Sequence, residues 1–247
     1  MTVIAAIPAR FGSTRLPGKL LLDLGGRPII AHVVAAAQRS ALIDEVLVAT
    51  DHDAIAQAAQ AAGAEVVMTD PALPSGSDRI GAALAGRTYE LALNIQGDEP
   101  EIDPAALDAL VRAMRQSPSA ELGTLSAPLA PGELSDPNAV KVVCDLQGFA
   151  MYFSRAALGA DRDEVLDGAD EPSSAARRHL GVYAYRRSAL EQFLALPPSR
   201  LERLERLEQL RALENGLKMI VVPVDKAPAG IDTTQDLAAA RRRFGDD

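Results

Sequence analysis

The chain has 247 residues, 48% of them hydrophobic, and its 25 Lys and Arg against 34 Asp and Glu give a formal net charge of −9. That length can bury a sizeable α/β core, while the acidic balance argues against nucleic acid or an anionic membrane surface as the main partner. The single cysteine, Cys144, excludes an internal disulfide, and three histidines (His32, His52 and His179) give a zinc cage almost no material, so any metal falls to carboxylates and is a hard ion such as Mg²⁺.

In chain order, "TVIAAIPA" predicts a first strand, followed by the loop "IPARFGSTRLPGK" (residues 7–19) and a helix over "RPIIAHVVAAAQRS". Then strands "EVLVAT", "EVVMT" and "LALNI" alternate with helices "DAIAQAAQAAG", "SDRIGAALAG" and "PAALDALVRAMRQS", the last opened by Asp103 as N-cap and Pro104 as first helical residue. Short runs apolar at nearly every position, spaced by helices, indicate βαβ units and a parallel, Rossmann-like sheet. From about residue 122 the pattern turns antiparallel: "LGTLSAPL", a hairpin of "AVKVVCD" and "FAMYFSR" across an "LQG" turn, and "HLGVYAYRR". One charged helix is expected over "RLERLERLEQLRALENG", closed by Gly216, with a leucine every third residue from Leu201 to Leu213 packing on the sheet. A strand "KMIVVPV" and a helix after "GIDTTQDL" complete the chain. No apolar run is long enough to cross a bilayer and no charged-then-apolar leader opens the chain, so a cytoplasmic protein without membrane insertion is expected.

The first loop leaves a parallel strand at its carboxyl end, where open α/β sheets bind ligands. It carries Arg10, Arg15 and Lys19, with Arg27 following, against the single acid Asp23 in the first 30 residues. Cations together with Gly12 and Gly18 make a polyphosphate cradle. The loop is not a Walker A motif, because five residues separate its glycines and Leu20 stands where Ser or Thr would bind magnesium; nor is it GxGxxG. "NIQGDEP" puts Asp98 in a turn after another apolar strand, and "AGIDTTQDL" puts Asp232 before a helix. Asp232 also reads as part of a capped helix start. If the strand order joins them, Asp98 and Asp232 would hold one Mg²⁺. Cys144, inside an apolar strand, reads as core.

Taken in order from the first strand to the last helix, "IPARFGSTRLPGK", "ATDHD", "SGSDR", "NIQGDEP", "VKVV", "YFSR", "HLGVYAYR", "LEQLR" and "GIDTTQDL" closely resemble the 3-deoxy-manno-octulosonate cytidylyltransferases. The resemblance implies a nucleotide-diphospho-sugar transferase fold, with a mixed, mostly parallel sheet and an antiparallel dimerisation and sugar-binding portion. It implies one domain over residues 1–247, with a nucleotide-binding half (1–120) and a sugar-acid-binding half (121–247). The implied protein is a cytoplasmic, Mg²⁺-dependent homodimer that joins CTP to 3-deoxy-D-manno-octulosonate (Kdo), giving CMP-Kdo and pyrophosphate for lipopolysaccharide biosynthesis. Arg10, Arg15 and Lys19 would bind the CTP phosphates, Ser75, Gly76 and Arg79 would seat the nucleoside, and Gln96 would lie beside both substrates. Lys19, Asp98 and Asp232 would be catalytic, the two aspartates as metal ligands. Arg155, His179, Tyr183, Glu208 and Gln209 would hold the sugar acid; a cation suits its carboxylate and polar groups suit its hydroxyls. The chain departs from the family after "YFSR", where "AALGADRD" replaces the usual proline and aromatic residue. That change lies on the sugar side, and 8-amino-Kdo or a nonulosonate is the alternative acid.

Overall fold

A computed structural model describes residues 2–12, 16–169 and 172–245. In chain order its elements are β1 (Val3–Ala9), a 3-10 turn (Lys19–Leu21), β2 (Asp23–Leu24), β3 (Arg27–Pro28), α1 (Ile29–Gln38), β4 (Glu45–Thr50), α2 (Asp53–Ala61), β5 (Glu65–Met68), α3 (Gly76–Leu84), β6 (Leu91–Asn94), α4 (Pro104–Gln116) and β7 (Leu122–Ala127). There follow β8 (Lys141–Cys144), β9 (Ala150–Ser154), α5 (Arg162–Leu166), β10 (Arg177–Arg186), α6 (Arg187–Ala195), α7 (Arg200–Glu205), α8 (Gln209–Glu214), β11 (Met219–Pro223) and α9 (Thr234–Phe244). These form two compact units: Met1–Val111 with Tyr185–Arg187 and Pro228–Asp247, and Arg112–Ala184 with Ser188–Ala227.

In the first unit the strands lie in the order β6-β1-β4-β5, all parallel. Val3 to Ile7, Leu47, Val48, Leu91 and Leu93 are buried, as a sheet covered on both faces requires. The chain runs from β1 outward through β4 and β5, then returns to place β6 on the other side of β1. A crevice therefore opens at the carboxyl ends of β1 and β6, the switch point at which such sheets take ligands. Asp103 Oδ1 accepts from Ala105 N at 2.9 Å and starts α4 as expected.

The segment between the first loop and α1 is more elaborate than expected. Gly18, with φ +64°, starts the 3-10 turn, and β2 and β3 pair as a two-residue hairpin before Pro28 takes the N-cap of α1. This hairpin and turn give α9 a seat. Ile231, Leu237 and Ala240 bury against Leu16, Leu24 and Ile29, each large side chain contributing roughly 1.5–3 kcal/mol. Thr233 caps α9 in a capping box with Asp236.

In the second unit β7 lies between β11 and β10, and β8 pairs with β10 and with β9. β8–β9 and β8–β10 are antiparallel, and Asp145 closes the hairpin by accepting from the backbone N–H groups of Gln147 and Phe149. The antiparallel expectation for this half holds for these pairs and for the bridge between Phe149 and Ile220, whereas β7 and β11 are parallel, with Met219 opposite Leu122. Residues 218–224 arrive from α8 rather than from a hairpin turn, which frees their direction.

The single charged helix expected over 200–216 is two helices, α7 and α8, separated at Arg206, a left-handed residue at φ 54°. A period of three does not hold one face of a 3.6-residue helix, and the leucines divide accordingly: Leu207 and Leu210 are buried, whereas Leu204 is 70% exposed. The break turns Glu202 and Arg211 toward each other in a buried ion pair, Arg211 Nε lying 2.9 Å from Glu202 Oε2. Gly216, at φ +79°, ends α8 as its position predicts.

Candidate functional site

The cavity at the β1–β6 switch point measures about 520 Å³. It is lined by Arg10 and Gly12 after β1, Lys19 and Leu20 from the 3-10 turn, Ser75, Gly76 and Arg79 at the start of α3, Gln96 to Asp98 after β6, and Asp232 before α9. Every residue expected on the CTP and metal side is thus in one cavity, except Arg15, which lies outside the described residues. Pro8, Leu20, Leu73 and Pro74 supply apolar wall among these polar groups, a mixture suited to a nucleoside with phosphates. Gly97 sits in close packing: a Cβ there would lie 3.3 Å from both Leu20 Cδ2 and the Pro8 carbonyl oxygen, tighter than an ordinary contact.

Asp98 and Asp232, 134 positions apart in sequence, are joined through Lys19. Lys19 Nζ donates to Asp98 Oδ2 at 2.5 Å and to Asp232 Oδ1 at 3.0 Å, while Ile231 N donates to the Asp98 carbonyl at 3.0 Å. Because Thr233 and Asp236 do the capping of α9, the Asp232 carboxylate is left to turn into the cavity. Burial by itself would lower the Lys19 pKa, but the charge and hydrogen bond of Asp98, helped by Asp232, more than offset it, and the net shift is upward. Lys19 is therefore a fixed ammonium at neutral pH.

Two carboxylates gathered around one cation are a hard-oxygen donor set and fit Mg²⁺. Among the described residues no group of three or more His, Cys, Asp or Glu converges, so the remaining positions would fall to water and phosphate oxygens, as Mg²⁺ usually arranges.

Arg79 is 2% exposed and tied down: Nη2 donates to Asp51 Oδ2 at 3.0 Å and Nη1 to Thr69 Oγ1 at 2.5 Å. Asp51 also accepts from Phe11 N at 3.0 Å, and the Phe11 ring stacks on His52 with centroids 3.9 Å apart. Asp51 and His52 thus fasten the first loop to the end of β4. Sequence reading assigned them no part in the site; the available signal was an acid immediately after a parallel strand in "ATDHD".

Apart from Gln96, the residues expected on the sugar side are in the second unit. Arg155 is anchored by Glu205 and Pro137: its N donates to Glu205 Oε2 at 2.9 Å, Nε to the Glu205 carbonyl at 2.9 Å and Nη1 to the Pro137 carbonyl at 2.9 Å. Lys141, fully buried, gives its three ammonium protons to the carbonyls of Asp136, Ala139 and Arg155 at 2.6–2.8 Å, bracing the same segment. Neither Glu205 nor Lys141 was singled out from sequence, where each looks like an ordinary charge.

His179 packs edge-on to Phe153 (4.9 Å) and lies 5.4 Å from the Tyr183 ring. Glu208 immediately precedes α8 and Gln209 begins it; Gln209 Nε2 is buried with no hydrogen-bond partner among the described residues, a donor of the kind a ligand oxygen satisfies. Cys144, at the end of β8, is half-buried, and burial pushes its thiol pKa up, which disfavours the thiolate a nucleophile needs.

Burial pushes the His179 pKa from 6.5 down to about 3, so the ring is neutral at working pH and cannot pair with a carboxylate as a cation. The folded value lies below the unfolded one, so the stability at stake is fully present above pH 6.5 and is lost as pH falls from 6.5 toward about 3. That loss should run at about 1.4 kcal/mol per pH unit. His179→Gln should flatten this part of a urea-stability profile; a profile with unaltered slope would mean that the ring titrates as it does in the unfolded chain.

Comparison with known proteins adds three findings. A family model for cytidylyltransferases matches residues 4–220. The chain is 44% identical to the 3-deoxy-manno-octulosonate cytidylyltransferase of Bdellovibrio bacteriovorus over 96% of both chains, and 48% identical to that of Anaeromyxobacter sp. (strain Fw109-5) over 97% and 95%. Its fold matches a solved CMP:2-keto-3-deoxy-manno-octonic acid synthetase complexed with CTP, with a TM-score of 0.92 and 36% identity over 99% of both chains.

Proposed function

The chain belongs to the 3-deoxy-manno-octulosonate cytidylyltransferase family, and from this premise we propose that it transfers CMP from CTP to the anomeric hydroxyl of Kdo, releasing pyrophosphate for lipopolysaccharide biosynthesis. The observation that carries the reading is the convergence of Arg10, Lys19, Gln96, Asp98 and Asp232 in one cavity at the sheet's switch point.

The sugar hydroxyl attacks the α-phosphorus in line, and no covalent enzyme intermediate is needed. Protein groups position the substrates and neutralise charge. Arg10 and Lys19, with Arg15 of the same loop, grip the triphosphate, and Lys19 balances the charge growing on pyrophosphate as it leaves. Ser75, Gly76 and Arg79 seat the nucleoside, and Gln96 lies beside both substrates. Asp98 and Asp232 would hold Mg²⁺, which when bound supplies Lewis-acid neutralisation of phosphate charge. Arg155 meets the sugar carboxylate, while His179, Tyr183, Glu208 and Gln209 meet its hydroxyls. Gln209 Nε2, buried with no hydrogen-bond partner among the described residues, supports the last assignment.

The protein works as a cytoplasmic homodimer. No helix among the described residues is long and apolar enough to cross a membrane. Leu146 and Met151, fully exposed and 64% exposed on the β8–β9 hairpin, offer apolar surface to a second copy.

Pyrophosphate release tests the reading. CTP is expected to outpace UTP, ATP and GTP with Kdo, only in the presence of Mg²⁺, and Kdo to outpace 8-amino-Kdo and nonulosonates. Preference for another nucleotide would overturn the CTP assignment; preference for another acid would move the substrate to that alternative.

A further inference from the structure

Thr124 is fully buried in β7, with Leu122 and Leu125 on the same strand also fully buried. Its hydroxyl oxygen lies 2.8 Å from the Val182 carbonyl oxygen, 3.1 Å from the Leu180 carbonyl oxygen and 3.0 Å from His179 Nε2. A hydroxyl has one proton to give, and carbonyl oxygens only accept. If that proton pointed at the imidazole, two carbonyl oxygens would face the hydroxyl's lone pairs with no hydrogen between them. The hydroxyl therefore donates to a carbonyl, the nearer being Val182, and the contact with His179 is closed by a hydrogen on Nε2. A neutral imidazole carries a single N–H, so Nδ1 is left with its lone pair.

We propose that Thr124 is a positioning residue that locks His179 in the Nε2–H tautomer, so that Nδ1 is presented as an acceptor for one hydroxyl of the sugar acid. This rests on the sugar-acid role of His179 given above. The Phe153 and Tyr183 rings crowd the imidazole and help to fix its plane. The low pKa of about 3 keeps the ring neutral. A neutral acceptor takes a hydrogen bond from a hydroxyl but gives none to a carboxylate, so the two ends of the acid are told apart: carboxylate to Arg155, hydroxyl to His179. An analogue lacking that hydroxyl would leave Nδ1 desolvated and unpaired, which is how such a site rejects it.

Imidazole nitrogen NMR on histidine-labelled protein tests the tautomer, with His179→Gln assigning the signal. A protonated Nε2 and an unprotonated Nδ1 are expected without substrate. Thr124→Val should lose the single-tautomer signature and raise the KM for Kdo about fivefold, with the KM for CTP unmoved. Thr124→Ser should restore both. A wild-type Nδ1–H tautomer overturns the proposal whether or not Thr124→Val folds, and so does a wild-type KM for Kdo in a folded Thr124→Val. An Nε2–H signal with an unaltered KM for Kdo in His179→Gln would instead overturn the sugar-acid role and with it the substrate half of the proposal.

Discussion

Asp98→Asn is expected to cut turnover about 10³-fold, a loss of roughly 4 kcal/mol in transition-state stabilisation, with the fold intact. The substitution keeps the shape of the side chain and an oxygen able to accept from Lys19. Lys19 also keeps Asp232 at 3.0 Å, and the backbone link from Ile231 N to the Asp98 carbonyl is untouched. What disappears is one of two negative charges able to hold a divalent cation beside the triphosphate. Thermal unfolding should therefore shift little while kcat collapses, and extra Mg²⁺ should recover only part of the rate. Near wild-type turnover in the purified variant would remove Asp98 from the metal and catalytic roles together.

Arg211→Met should destabilise the protein by about 3–5 kcal/mol, the cost of leaving one member of a buried ion pair alone. The two side chains are each about 10% exposed. Arg211 also donates to the Leu196 carbonyl and stacks over the Phe193 ring at 4.9 Å, so aliphatic methionine replaces the packing but not the charge. Glu202 additionally closes a capping box with Ser199, which cannot neutralise it. Urea unfolding measures the loss, and Glu202→Gln in the Arg211→Met background should recover much of it by removing the stranded charge. A loss below about 1 kcal/mol would mean that water reaches the pair and that it behaves as a surface bridge. Because the pair holds α7 against α8, which begins at Gln209, the single variant should also raise the KM for Kdo more than that for CTP.

Legibility in the sequence followed the range of the physics. The alternation of β1, β4, β5 and β6 with helices was readable because these strands are apolar at most positions and a helix such as α4 carries a start signal, Asp103 with Pro104. The first loop was readable as an anion site because three cations and two glycines at a strand end are a local pattern. The pairing of Asp98 with Asp232 was conditional on strand order, and its mediator, Lys19 between the two carboxylates, is a tertiary fact that no spacing encodes. Asp232 was half claimed by helix capping until the structure gave that task to Thr233 and Asp236. The split at Arg206 was missed because a left-handed arginine has no local signature; only the three-residue leucine period, wrong for one helical face, hinted at it. Thr124, Lys141 and Glu205 each reach polar atoms of another segment, Lys141 that of the Arg155 carbonyl, and such partners become visible only when the segments meet. The sugar side, built from these long-range contacts, was legible through resemblance alone, and the CTP side was legible through resemblance and local chemistry together.

The most direct test of the central claim is the product. Phosphorus NMR of CTP, Kdo, Mg²⁺ and the purified protein should show a new phosphodiester resonance of CMP-Kdo and pyrophosphate rising in equal amounts, with neither forming when Kdo is left out. Formation of CDP and inorganic phosphate, or no consumption of CTP with Kdo present, would contradict it.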